Sequence, residues 1–353
     1  MTDPIRIQGR AVGRGAPVYI IAELSANHHQ DYAQAEELVH AAAGAGADCV
    51  KLQTYTPDTM TIRSADHCFQ ITGDTPWKGR NLYDLYAEAY TPWEWQPALK
   101  SLAEDLGMHL FSSPFDASSV EFLAGMDVPA YKIASFELID LELIAMAARQ
   151  GKPVILSTGM ATLDEIEEAV HVVRDNGNDQ VALLKCTSAY PAPYSEMNLR
   201  TIPDLAERFQ VPVGLSDHTP GIIAPVIAVA QGASIIEKHL TLSRVLGGPD
   251  SSFSLEPAEF RDMVEAVRTT DEALGMVSYA VTEHEEPGRA LRRSLFAVQD
   301  IAKGEEFTAE NIRSIRPGCG LPPRHYRQIL GRKAARHLPR GTPLQWDDIA
   351  QEQ

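Results

Sequence analysis

Eight short apolar runs, each followed by room for at least one helix, constrain this chain more than any other feature. They are VYIIAELS (18–25), DCVKLQTY (48–55), HLFSSPF (109–115), AYKIAS (130–135), PVILSTG (153–159), VALLKCTS (181–188), VPVGLSDH (211–218) and SIIEKHL (234–240). Runs of this length read as strands buried on both faces, and strands alternating with helices run parallel. Eight such units predict a closed (β/α)8 barrel. A doubly wound open sheet is the runner-up, but no dinucleotide-binding glycine pattern follows the first run.

Residues 214–240 hold the strongest local signal. Two runs flank a segment (220–232) with the length and apolar content of a covering helix, so the strands are parallel neighbours with their C-terminal ends at one edge. His218 closes one and His239 the other, and Asp217 and Glu237 are expected to flank the two imidazoles. Side chains alternate with period two, so Ser216 shares a face with His218, and Glu237 with His239. Two imidazoles on adjacent strand ends can chelate a divalent metal; a pair of satisfied core histidines is the alternative.

In barrels of this class the chemistry gathers at the C-terminal strand ends. Those positions carry Glu23, Lys51, Gln53, Ser113, Lys132, Ser135, Ser157, Ser188, Tyr190, Ser216, His218, Glu237 and His239. Helix capping explains two or three of the hydroxyls. It does not explain Lys51 and Lys132 inside apolar runs, because burying an unpaired ammonium costs several kcal/mol. Two lysines in a ring of hydroxyls suit a phosphate or carboxylate, with Glu23 as the carboxylate across the barrel.

The rest of the chain surrounds this ring. Residues 56–90 form a long polar segment carrying Trp77, Tyr83, Tyr86 and Tyr90, expected to be a lid or binding loop, although its aromatics could equally be core packing over the barrel. Helices are expected at 32–44, from about 92, and at 257–274. A chain of 353 residues exceeds one compact core. Residues 1–275 are therefore expected to form the barrel, 276–291 a polar linker, and 292–353 a small module of short β-like runs. That module is the basic part of an acidic protein. A net charge of −17 argues against non-specific binding to nucleic acid or anionic membrane. With no apolar leader and no run approaching membrane-spanning length, a cytoplasmic protein is expected. Four scattered cysteines without CxxC agree with a reducing compartment, and those in apolar runs read as small core hydrophobes.

The motifs IAELSANH, KLQTYTPDTM, YKIASFE, LSTGMAT, GLSDHT and EKHLT resemble the sialic acid synthase family, which condenses phosphoenolpyruvate with an N-acylated amino sugar. The tail motifs KGE, NIRSIRPG and LGRKAARHLPRG resemble the antifreeze-like (SAF) domain that completes those enzymes. SANHHQDYAQA, YTPDTMT, NLYDLYAEAYTPWEW and SSPFDASSVEFL look most like the pseudaminic acid synthase branch. Its acceptor is 2,4-diacetamido-2,4,6-trideoxy-L-altrose. Ser188, and SSFSLEP after GGPD, depart from the N-acetylneuraminate branch; that and legionaminic acid synthesis are the alternatives.

The resemblance implies a divalent ion on His218 and His239, most simply Mn2+, with Mg2+ or Co2+ possible. It implies Glu23 as the carboxylate near C2 of the enolpyruvate. Lys51, Ser113, Lys132, Ser135, Ser157, Ser188 and Ser216 would hold phosphate and carboxylate. Gln53, Tyr190, Glu237 and Asp250 would contact the sugar. Arg316 would extend into a sugar site of the neighbouring subunit in a domain-swapped homodimer. A metal-dependent aldolase or isomerase on the same fold, and a non-catalytic sugar-binding protein, are the competing readings.

Overall fold

The computed structural model describes residues 3–73 and 75–351; residues 1, 2, 352 and 353 of the expected ranges, and 74 of the long segment, lie outside it. The eight apolar runs become eight parallel strands: β1 (Tyr19–Glu23), β2 (Cys49–Thr54), β3 (His109–Pro114), β4 (Tyr131–Ile133), β5 (Val154–Ser157), β6 (Val181–Cys186), β7 (Val213–Asp217) and β8 (Ile235–His239). They pair in sequence order, and β8 returns to β1, closing the barrel. Nearly every strand residue is buried, as parallel strands covered on both faces must be. The core is one continuous cluster in which Ile20, Ile21, Val50, Leu110, Ile133, Ile155, Leu183, Leu215 and Ile236 pack against the surrounding helices.

Register delivers the strand tips to one another. Glu23 pairs with both Lys51 and His239, and Ser216 pairs with both Cys186 and Glu237. Local signals set the covering helices: Thr162 and Glu165 cap one reciprocally, and Asp116 and Ser119 cap another.

Several elements differ from the sequence reading. The covering helix between β7 and β8 spans only Ile223–Ala230, leaving 218–222 as a loop above the strand tip. The helix near 92 begins with the tight turn Trp93–Trp95 and continues as Gln96–Asp105. The segment 56–90 is not a plain loop, for it contains helices Pro57–Met60 and Leu82–Ala89, the latter capped by Asn81. An N-terminal hairpin, Ile5–Ile7 with Arg10–Val12, escaped the sequence reading. It buries Ile5, Ile7 and Val12 in the barrel core, and Arg6 donates its N–H to Gln180 just before β6, so it covers the N-terminal end of the barrel.

The chain divides into two compact units, Met1–Gly275 and Met276–Gln353. Within the second, residues 276–291 are exposed and carry one helical turn, Glu286–Arg289. Strands Ser294–Ala297 and Ile312–Ile315 pair antiparallel. They share a separate core built on Leu295, Ile301, Phe307, Ile312, Ile329, Leu338 and Leu344. Among the described residues no helix is long and apolar enough to cross a membrane.

Gly214 sits where β7 is squeezed between neighbours. A Cβ there would stand 2.6 Å from Ile235 Cβ and 2.8 Å from Leu184 Cδ2, and closer still to the Ile235 carbonyl. Gly214→Ala is expected to cost about 1–3 kcal/mol through overpacking, read as a lowered denaturation midpoint. An unchanged midpoint would mean that the barrel yields easily at this strand.

Candidate active site

A cavity of about 410 Å³ opens at the C-terminal ends of the strands. Glu23 and His239 reach it from β1 and β8, Lys51 and Gln53 from β2, and Lys132 from β4. Ser135, Ser157, Tyr190, Ser216, His218, Glu237 and Asp250 complete its polar lining among the positions singled out from the sequence. Three positions are absent from that lining. Ser113 is buried on β3 beside Gln53 in register, and its Oγ has no hydrogen-bond partner. Ser188 is not part of the lining itself, but its Oγ lies 3.8 Å from the Sγ of Cys186, which is. Arg316 belongs to the second unit, where it is exposed just beyond the second strand.

An ion triad forms the floor. Lys51 Nζ lies 2.7 Å from Glu237 Oε1 and 3.0 Å from Glu23 Oε2, all three buried. Burial alone would discharge Lys51, but the two carboxylates hold it firmly protonated, well above the usual lysine range. The carboxylates are not equivalent. Burial pushes Glu23 up to about 7 against the pull of Lys51, with Glu237 adding to the rise. Burial acts on Glu237 too, but Lys132 and Lys51 outweigh it and keep it below the ordinary range. Gln53 Nε2 donates to Glu23 Oε1 at 3.1 Å and fixes its orientation. Two acids with separated pKa values offer one fixed charge and one proton acceptor poised near neutrality.

Lys132 has a different setting. It donates to Ser157 Oγ at 2.7 Å and to its neighbour's carbonyl at 2.9 Å, and burial brings it down to about 8, opposed by Glu237. An entering anion would hold it fully protonated, the behaviour expected of a phosphate or carboxylate contact. Nearby, Gly159 donates its N–H to Ser135 Oγ at 3.0 Å. A Cβ on Gly159 would collide with the Ser135 and Ser188 hydroxyls, so only glycine lets these donors converge.

His218 and His239 lie side by side, with ring centroids 5.3 Å apart. His218 Nδ1 lies 3.1 Å from the Thr187 carbonyl, a partner that only an N–H can satisfy, so the neutral ring keeps its lone pair on Nε2. His239 Nδ1 is buried without a partner, and burial, with His218 adding, holds that imidazole far below its usual pKa. A neutral imidazole with an orphaned nitrogen beside another of fixed tautomer fits a divalent ion, which would leave positions for water and substrate oxygen. Tyr190 leans on His218 with centroids 4.5 Å apart, and Trp77 packs on Tyr190 at 5.2 Å.

Two expectations need correction. Asp217 does not flank the imidazoles: it faces the other side of the sheet, where its Oδ2 takes the Lys238 ammonium at 2.5 Å in a fully buried pair. Period-two alternation puts it there, since His218 follows it directly. Cys186 is not a plain core hydrophobe. Its Sγ lines the cavity 3.8 Å from His218 Nδ1. Burial raises its pKa, but the charge of a protonated His218 and hydrogen bonds from His218, Ser135 and Ser188 together bring the thiol down to about 7. Its place two residues before Ser188 was the available signal. Glu137, also on the cavity, went unnoticed because it follows the strand end in a tight turn; burial pushes it up to about 7.

A closed parallel barrel with acid, ammonium and imidazole groups gathered at its C-terminal strand ends defines a barrel enzyme of the metal- and anion-handling kind. The chain belongs to the NeuB family, which residues 38–279 match, and residues 292–350 match the SAF domain. It is 48% identical over 334 residues to the pseudaminic acid synthase of Helicobacter pylori, covering 94% of this chain and 98% of that one. Identity to the pseudaminic acid synthase of Campylobacter jejuni subsp. jejuni serotype O:23/36 is 45% over 332 residues, with 94% and 96% covered. The crystal structure of N-acetylneuraminic acid synthetase from Leptospira borgpetersenii, in complex with citrate, superposes with a TM-score of 0.73 at 32% identity. That match covers 82% of this chain and 95% of the other.

The Asp217–Lys238 pair ties together the two strands that carry the imidazoles. Lys238→Met alone is expected to cost about 3–5 kcal/mol by stranding a buried carboxylate, whereas Asp217→Leu together with Lys238→Met recovers most of it. Denaturant titration of both variants checks this, and equal losses would deny the pairing.

Proposed function

We propose that this protein is a pseudaminic acid synthase, condensing phosphoenolpyruvate with 2,4-diacetamido-2,4,6-trideoxy-L-altrose to give pseudaminic acid and phosphate. The observation that carries this reading is the convergence of Glu23, Lys51, Lys132, His218 and His239 on one cavity, in a chain nearly half identical to enzymes bearing that name.

Lys132, Ser157 and the donors around Gly159 bind the phosphate and carboxylate of the enolpyruvate, with Ser113, Ser188 and Ser216 as further hydroxyls. Lys51 supplies fixed positive charge beside them. C3 of the enol forms a bond to the aldehyde carbon of the open-chain sugar, whose C=O π bond breaks to leave an oxygen that takes up a proton and becomes a hydroxyl, and water adds at C2. Glu23, with its pKa near 7, takes the proton that water gives up. Phosphate then leaves with cleavage of its C–O bond. Gln53, Tyr190, Glu237 and Asp250 orient the sugar. A divalent ion, most simply Mn2+ with Mg2+ or Co2+ as alternatives, held by His218 and His239, would supply Lewis acidity toward the aldehyde oxygen.

The remaining assignments belong to the same proposal. Residues 1–275 act as the catalytic domain, 276–291 as a linker and 292–353 as the SAF domain. The exposed linker would allow the domain to serve the partner in a swapped cytoplasmic homodimer, with Arg316 reaching the sugar.

Phosphate release from phosphoenolpyruvate, assayed with a panel of N-acylated amino sugars and with and without EDTA, tests the reading. Release is expected only with an acceptor, is best with the diacetamido trideoxy sugar, and is lost on chelation. A preference for the precursor of N-acetylneuraminate or legionaminic acid would reassign the product; an absence of release with every sugar would end the proposal. Activity of the wild type should rise with pH through about 7, because Glu23 must be ionised to accept a proton. Glu23→Gln is expected to lose at least about 10²-fold in kcat and the acid limb with it, while still binding phosphoenolpyruvate. Full activity in this variant removes Glu23 from the chemistry. Arg316→Ala is expected to raise the acceptor KM about tenfold or more, as loss of a charged contact does, with little change for phosphoenolpyruvate. An unchanged acceptor KM would place Arg316 outside the site.

A further inference from the structure

The cavity has a second character above its polar floor. The segment leaving β2 contributes Met60, Ile71, Leu82, Leu85 and Ala89 to the wall, with Thr75, Trp77 and Tyr86 beside them, and none of its charged side chains lines the cavity among the described residues. Leu82, Leu85, Tyr86 and Ala89 recur at helical spacing, so the helix Leu82–Ala89 turns inward a face that is apolar except for the Tyr86 hydroxyl. Its charged residues lie on the other side, Asp84 bonded to Arg63 at 2.9 Å and Glu88 to Arg80. These apolar side chains take no part in the barrel core cluster, so the face is committed to the cavity rather than to folding. The wall is pinned in place by Trp77, whose indole N–H donates to the Pro249 carbonyl at 2.8 Å.

We infer that this wall selects a 6-deoxy acceptor by receiving its C6 methyl group. The inference rests on the reading above. The aldehyde end of the open-chain sugar must meet the enol carbon beside the imidazoles and Glu23, at the strand tips. The opposite end of the same carbon chain therefore points away from the floor, toward the segment that rises from the tip of β2. A methyl group there meets matching surface. A hydroxymethyl group would set an oxygen against Met60, Ile71 and Leu82, whose side chains offer it no hydrogen-bond donor, so it must turn toward the Thr75 or Tyr86 hydroxyl or bear the cost of a buried unpaired group. Selection at this end leaves the polar floor free to be shared by synthases that use other sugars.

The test compares kcat/KM for the 6-deoxy acceptor with that for its 6-hydroxy counterpart. Apolar pockets reject an added hydroxyl by about 10²-fold, and the wild type is expected to show a preference of that order. Leu82→Asn and Met60→Gln, both at half-buried positions, should each shrink it about tenfold or more, with phosphoenolpyruvate KM as the control. Should one variant fail to fold, the other still decides. An unchanged ratio in a folded variant overturns the inference, as does equal use of both sugars by the wild type, and either result leaves the synthase reading standing. Absence of phosphate release with every acceptor removes the synthase reading and the selection role together.

Discussion

Lys51, held between Glu23 and Glu237, is the interaction on which the site depends. Three charges are buried on three adjacent strands, and none could stay ionised alone in so dry a place. Together they form a floor with one excess negative charge that Lys132 balances from β4. The asymmetry of the triad matters as much as its presence. Glu237 faces two ammonium groups and stays charged, so burial lifts Glu23 instead. A proton acceptor near neutrality thus arises from position rather than from any special residue type.

The same geometry answers an electrostatic difficulty. A chain with net charge −17 repels anions at long range, yet its cavity carries the chemistry to hold them. Screening confines the global field to about 10 Å at moderate ionic strength, whereas buried ammonium groups and converging hydroxyls act at contact distance with little solvent between. Lys132, brought down to about 8 by burial, gains its full charge on meeting an anion, so binding and protonation reinforce each other.

The two faces of each strand carry different burdens. On the inner face at β7 and β8 stand His218 and His239; on the outer face, one residue earlier in each strand, Asp217 and Lys238 bond to each other. The outer pair resists shear between the strands whose tips present the imidazoles. The cavity wall divides similarly, between a polar floor built from strand ends and an apolar side built from one helix of the inserted segment.

The eight strands, their parallel order and the ring of polar tips were legible in the sequence, because burial on both faces forces apolar runs and side-chain alternation is a local property. The imidazole pair and both lysines followed from the same alternation. Cys186 and Asp217 were misread because an apolar neighbourhood or a nearby histidine says nothing of facing until the register is known. The N-terminal hairpin and the helix Leu82–Ala89 were missed because short elements carry too little periodicity, and their stability comes from what they cover. What the sequence determined by itself was an alternating barrel with charge and hydroxyls at one end. Only the tertiary structure decided that Lys51 sits between two acids, that Glu23 rather than Glu237 is the poised one, and which helix face lines the cavity, because those depend on through-space distances between strands far apart in the chain.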